Sequence, residues 1–153
     1  RIARPSDLAA IDATLDAIRS GAMPPGLDGE LGLVHVSVSG DSVVATLDIA
    51  AKHHQPFGIV HGGVYCAVAE SVASIGGFAW LQESGIGGTA VGVNNNTDFL
   101  RSVSSGTVTA TGTPIHRGRR QQLWRVSMVG DGDRLLAISQ VRLQNIELPG
   151  GTA

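Results

Sequence analysis

The sequence predicts an α+β fold in which an antiparallel sheet wraps one long, buried helix. From Gly62 to Leu81 nearly every residue is small or apolar, and Glu70 is the only carboxylate in the run. A helix that is apolar on all sides has no face to offer water and is therefore buried. Beyond Gly88 the pattern becomes β-like and stays so to Leu148, broken only by turn-type segments. At 153 residues the chain is one domain in length and long enough for a core.

An extra helix precedes this unit. Leu8, Ile11, Leu15 and Ile18 recur at helical spacing behind Ser6, the expected N-cap, while Arg19 and Gly21 close the element. Met23-Pro24-Pro25-Gly26 cannot continue it, so residues 1–26 read as an N-terminal helix and linker and 27–153 as a single domain. From Leu31 the period changes to two: Leu31, Leu33, His35 and Ser37 alternate with Gly32, Val34, Val36 and Val38. The turn Ser39-Gly40-Asp41 then leads to a second strand from Val43 to Ile49, completing a hairpin. His35 has no visible partner in the pattern and reads as structural.

A loop from Ala51 opens the long helix, and Glu83 to Gly88 ends it. Four strands follow over Thr89–Leu100, Gly106–His116, Gln121–Val129 and Leu135–Leu148. The turn Gly130-Asp131-Gly132-Asp133-Arg134 calls for positive φ at its central glycine. A sheet wrapped around one helix leaves the helix open on the opposite side, so a partner subunit is expected.

Composition narrows the function classes. Eleven basic and thirteen acidic side chains leave the chain near neutrality, so no overall field favours nucleic acid. A single cysteine, Cys66, excludes an internal disulfide and a cysteine-based metal cluster and suits a cytoplasmic protein. The first twenty residues hold Asp7, Asp12 and Asp16 and no apolar stretch of signal-peptide type, which predicts no export. The long helix is too rich in Gly, Ser and Ala for a membrane span. Charge is unevenly placed, however. No acid lies between Asp98 and Asp131, where Arg101, Arg117, Arg119, Arg120 and Arg125 fall. This segment is either a solvated arginine-rich face or a site for ligand phosphates, which the guanidinium fork suits.

Glu70 is the feature that needs a chemical account. A carboxylate in a greasy helix is costly unless it is paired, protonated or used. Residues four apart share a helix face, so Cys66, Glu70 and Ser74 form one small, weakly polar stripe with Gly77 close by. That stripe leaves room for a ligand and a water. At the helix start, Gly62 and Gly63 offer unpaired N–H groups at the positive end of the dipole, which suit a developing oxyanion. Gln55 could orient a carbonyl or water, and His61 could donate or stack beside it. Glu70 lies about 12 Å from Gly62 along the helix. One chain therefore cannot bring both to a single carbonyl, whereas a two-fold dimer can. His53, His54 and His61 lack a helical pair with a third ligand, so no metal is expected. Cys66 reads as a small packing residue rather than a nucleophile. Ser74 is a helix-facing hydroxyl or a ligand contact.

Gln55, Gly58, His61-Gly62-Gly63 and Glu70 with Ser74 four residues later resemble the hotdog-fold acyl-CoA thioesterases. The similarity is to the branch holding the phenylacetate-pathway (PaaI-like) enzymes and the Arthrobacter-type 4-hydroxybenzoyl-CoA thioesterase. It runs from about Leu31 to Leu148 and includes Phe99-Leu100-Arg101 and His116 to Arg120. The resemblance implies a homodimer, often paired into a homotetramer, that hydrolyses an acyl-CoA thioester with CoA as part of the substrate and no separate cofactor. It implies Glu70 as nucleophile or general base, Gly62 N–H of the facing subunit as the carbonyl-polarising group, Gln55 and His61 flanking it, and Ser74 placing water or Glu70. Gly63, Arg101, Arg117, Arg119 and Arg120 would contact the substrate, the arginines at the CoA phosphates. This chain departs from the family in having His53-His54 where Asn or Asp often precedes the glycine-rich loop, which leaves the acyl pocket its own. A hotdog hydratase or dehydratase and a non-catalytic acyl-CoA-binding protein are the alternative functions.

Overall fold

The computed structural model describes residues 5–147. The elements run α1 (Pro5–Arg19), α2 (Leu27–Leu31), β1 (Leu33–Val38), β2 (Val43–Asp48), α3 (Gly62–Glu83), β3 (Thr89–Phe99), β4 (Thr107–Arg117), β5 (Gln121–Gly130) and β6 (Arg134–Ile146). The strands form one antiparallel sheet in the order β1-β2-β4-β5-β6-β3, so β3 sits at an edge with β6 as its only strand partner among the described residues.

The sheet curls around α3. Along β2, β4 and β5 alternate residues point inward, and Val43, Ala45, Leu47, Val108, Ala110, Trp124, Val126 and Met128 meet Val68, Ala69, Val72 and Ala73 in the main core. Close approach is possible because two helix positions lack a side chain. A Cβ at Gly76 would stand 2.6 Å from the Trp124 ring, and one at Gly77 would strike Leu143. Gly77, expected beside the stripe of Cys66, Glu70 and Ser74, is thus buried against the sheet, and its carbonyl accepts from Gln122 Nε2. By length and composition α3 could cross a membrane, but the sheet buries more than half of its most apolar window.

Three stretches differ from the periodicity-based expectation. The expected first strand begins two residues late, because Leu27–Leu31 forms a short helix ended by Gly32 in the left-handed region (φ 82°). That turn brings Asp28 beneath β1. Its carboxylate accepts from Ser71 Oγ at 2.5 Å and lies 3.4 Å from His35 Nε2, giving the buried His35 the partner the sequence did not reveal. Ser6, expected as N-cap, lies inside α1, which already includes Pro5. At the other end of the chain β6 closes at Ile146, while Leu148, expected to end the last strand, lies outside the described residues.

α1 packs on α3 through Leu15, Phe78 and Ala79, a second small core joined to the main one through Val38 and Ile75. Its last turn is tied down by Arg19, whose guanidinium bonds Glu83 Oε1 at 2.6 Å. At the far hairpin Gly132 takes φ 68°, as the turn sequence requires.

Candidate active site

The site lies along the seam where α3 meets the edge strand β3. The two run antiparallel, so residues late in β3 face the start of the helix and residues early in β3 face its middle. Phe99 lies over Gly62, where a Cβ would come within 2.9 Å of the ring. Asn95 faces Cys66, and Gly92 faces Glu70.

Glu70 is half-buried rather than sealed in the core, because its stripe (Gly63, Cys66, Glu70, Ser74) lies at the sheet's edge, with β3 on one side of it. Its carboxylate rests on the β3 backbone at Gly92. A Cβ there would overlap Oε1 and lie 2.8 Å from the carboxyl carbon. Asn95 Nδ2 donates to Glu70 Oε2 at 3.0 Å and to the Cys66 carbonyl at 3.0 Å. Thr97 Oγ1 in turn donates to Asn95 Oδ1 at 2.8 Å, fixing the orientation of the amide. A β-bulge at Val93, between Gly92 and Asn94, re-aims the strand at this point. Among the described residues no Lys, Arg or His pairs with Glu70. The carboxylate is therefore positioned by one neutral donor, Asn95, with no basic partner among the described residues.

The start of α3 supplies the donors. His61 is the N-cap, and its Nδ1 accepts from Gly63 N–H at 2.8 Å. Gly63 N–H is thus occupied, contrary to the expectation of two unpaired groups, and Gly62 N–H is the one without a partner among the described residues. Accepting at Nδ1 leaves the neutral His61 ring its proton at Nε2. Gln55 sits in the turn before the helix. Its Oε1 accepts from Phe57 N–H at 2.6 Å, leaving the amide hydrogens to donate elsewhere. Gly58 makes this turn possible at φ 82°. His53 is buried with both ring nitrogens on backbone, Nδ1 to Ala50 N–H and Nε2 to the Leu31 carbonyl, and His54 Nε2 meets the Ser104 carbonyl.

The arginines do not form one cluster. Arg117 is turned away from solvent: Nη1 bonds the Gly40 carbonyl at 2.6 Å and Asp41 at 2.8 Å, and the guanidinium lies 5.6 Å from the Trp80 ring centre. It ties the β1–β2 turn to β4 and the end of α3, a structural role that the charge pattern did not show. Arg119 and Arg120 remain exposed beside a surface hollow with His116, Gln121 and Gln144. Arg101 lies at the opposite end of the sheet and bonds the Leu135 carbonyl at 2.8 Å.

One turn beyond Glu70, Ser74 opens into an apolar cavity of about 260 Å³ lined by Ile11, Leu15, Ile18, Ile75 and Phe78. Of the aromatics, Phe78 alone belongs to it. Trp124 is sealed in the main core, Trp80 carries Arg117, and Phe57 is 89% exposed at a loop tip.

Sequence reasoning misses Asn95 and Gly92, yet both leave a signal. Three consecutive asparagines and a glycine inside a strand run against β propensity, and such residues mark a place where something other than pairing decides.

A half-exposed, neutrally positioned carboxylate facing small residues, with an unpaired helix N–H on the same molecule, suits hydrolysis of activated carbonyl esters. The chain belongs to the Thioesterase superfamily, which it matches over residues 57–137, and it has the hotdog fold. It is a thioester hydrolase. Rv1847 of Mycobacterium tuberculosis is 58% identical over 120 residues, covering 78% of this chain and 86% of that one. Its solved structure superposes with a TM-score of 0.76 over 78% of this chain and 95% of that one, at 57% identity. The 1,4-dihydroxy-2-naphthoyl-CoA hydrolase of Listeria monocytogenes is 37% identical over 115 residues, 75% of this chain and 91% of the relative. The proofreading thioesterase EntH of Cronobacter sakazakii is 30% identical over 128 residues, 84% and 90% respectively.

Proposed function

We propose that the chain hydrolyses acyl-CoA thioesters bearing a small aromatic or medium-chain acyl group, in the manner of the PaaI-like and Arthrobacter-type branch. Glu70 of one copy acts with Gly62 N–H of a second. The carrying observation is the Glu70 carboxylate itself, seated on Gly92, held by Asn95 and unpaired with any base among the described residues.

The geometry favours a shared site. Gly62 and Glu70 are about 12 Å apart on one helix. Cys66 is midway between them, and its carbonyl is bound by Asn95, itself near the midpoint of Gly92 and Phe99 on β3. A two-fold axis passing there would exchange the Glu70 end of one copy with the Gly62 end of the other. β3 can carry such an interface. It is an edge strand of eleven residues with Val91, Val93 and Phe99 about half exposed. Unpaired edges of this length invite another chain. Pairs of dimers would build the tetramer that the family pattern implies.

In the reaction, Gly62 N–H polarises the thioester carbonyl, with Gln55 and His61 beside it. Glu70 either takes a proton from the water that attacks the carbonyl carbon or attacks that carbon itself, giving an anhydride that water then opens. In both routes the C–S bond breaks and the electron pair leaves on the CoA sulfur, so no strong general acid is required. Ser74, next on the stripe, positions water or the acyl group. Arg119, Arg120 and Arg101 are the candidates for the CoA phosphates. No cofactor beyond the substrate's CoA enters this scheme, nor any nucleic acid or membrane partner, and one cysteine with a CoA substrate suits the cytoplasm. Hydrolysis of an acyl-CoA panel, followed by thiol release at known oligomeric state, tests the proposal. Release by dimers and higher species is expected. A fully active monomer would refute the shared site, and no release from any thioester would refute the function.

A further inference from the structure

The seam between α3 and β3 does not stop at the carboxylate. Ser74 follows Glu70 by one helical turn, about 6 Å, and Ala90 precedes Gly92 by two strand positions, about 7 Å. Helix and strand therefore lead together from Glu70 into the cavity of about 260 Å³, where Ser74, Ile75, Phe78 and Ala90 form one side. The other side is α1, which contributes Ile11, Leu15 and Ile18. Leu15 and Ile18 are 4% and 6% exposed, and Ile11 is half-buried at the rim.

We propose that α1 is the end wall of the acyl site and that Ile11 and Leu15 set the longest acyl chain the enzyme accepts. This rests on the thioesterase role of Glu70 argued above. Several observations identify the occupant as the acyl group rather than the CoA arm. Among the described residues no charged side chain lines the cavity, and its polar groups are the hydroxyls of Thr14, Ser74 and Thr89, none of which matches a phosphate's charge. Thr14 Oγ1 already bonds the Ala10 carbonyl. The space of about 260 Å³ equals roughly nine waters at ~30 Å³ each, which matches a benzoyl ring or a chain of about six to eight carbons. It is too small for a pantetheine and nucleotide. The wall is also adjustable. α1 packs on α3 through a small core that meets the main one only at Val38 and Ile75, so a change at Ile11 falls at the periphery of the main core.

The test compares butyryl-, octanoyl- and dodecanoyl-CoA as substrates for the parent, Ile11→Trp and Ile11→Ala, each verified as folded by circular dichroism. Tryptophan fills the cavity from the rim, so the octanoyl-to-butyryl ratio of kcat/KM should fall at least tenfold. Alanine deepens it, so the dodecanoyl-to-octanoyl ratio should rise severalfold. Ratios within twofold of the parent in both folded variants would overturn the proposal. Should the parent hydrolyse none of the three, and benzoyl-CoA no better, the function proposed above fails, and the wall is judged by equilibrium binding of octanoyl- against butyryl-CoA. The same reversal in Ile11→Trp is expected there, and unchanged relative affinities would overturn it.

Discussion

The Glu70 carboxylate lies directly on the backbone of Gly92, in the volume that a Cβ at that position would fill. A methyl group there must push the acid from its seat. Gly92→Ala is expected to lower kcat about a hundredfold, the scale on which ångström misplacements act. The cost in stability should be about 1–3 kcal/mol, as for other overpacked sites. Steady-state kinetics beside a thermal melt separates the two, and an alanine variant with parental kcat would show that the position of the carboxylate is immaterial.

Glu70→Gln keeps the shape and the Asn95 contact on one side while removing the negative charge. Turnover should drop by at least about a thousandfold, while affinity for the product CoA, read by calorimetry, stays near the parent's. Equal rates in both proteins would remove Glu70 from the chemistry.

Asn95 touches the carboxylate and the helix carbonyl but has no need to touch substrate. Asn95→Ala should therefore reduce kcat about tenfold or more with little change in KM, the pattern of a lost transition-state arrangement. A rise in KM alone would instead place Asn95 at the substrate.

Arg117 and Arg120 are close in sequence, yet their variants should separate cleanly. Arg117→Ala loses the bonds to Gly40 and Asp41 and the stacking on Trp80. Asp41 is largely exposed, so its ion pair contributes little, and a total near 1–2 kcal/mol is expected, lowering Tm by several degrees without raising KM. Arg120→Ala should do the opposite, raising KM for acyl-CoA at constant Tm. An unchanged KM would leave Arg120 as surface.

Tyr65, the single tyrosine of the chain, is buried beside Phe99, and its hydroxyl has no partner among the described residues. Burial pushes its phenol up from the usual value near 10. The unfolded chain thus releases this proton first. The stabilising contribution is complete below about pH 10 and is lost as pH rises from there through the folded value. Tyr65→Phe removes an unsatisfied hydroxyl and should raise Tm by about 2–4 °C at neutral pH. It should also flatten the fall in Tm above pH 10. Tyrosinate absorbance appearing at the ordinary phenol pH in the folded protein would contradict the assignment.

Most of the architecture was legible in the residues. The all-round apolar character of Gly62–Leu81 called for a wrapped helix, and the observed strands begin and end within about two residues of those read from periodicity. What escaped was short or non-local. A five-residue helix at Leu27–Leu31 is too brief to show a period, so its role in delivering Asp28 to His35 and Ser71 was invisible. The fate of Arg117 was equally hidden, since charge patterning counts guanidinium groups without knowing that a hairpin turn lies seventy-six positions back in the chain.

The sequence alone determined that one carboxylate would sit on a helix with small neighbours, opposite a glycine-rich start, because helical spacing is local and fixes which side chains share a face. Tertiary structure decided what holds that carboxylate and where the seam ends. Gly92, Asn95 and the α1 wall come to Glu70 and Ser74 only when an edge strand and a preceding helix dock on α3. Such docking is settled by the summed packing of distant apolar surfaces, which no short stretch of residues encodes.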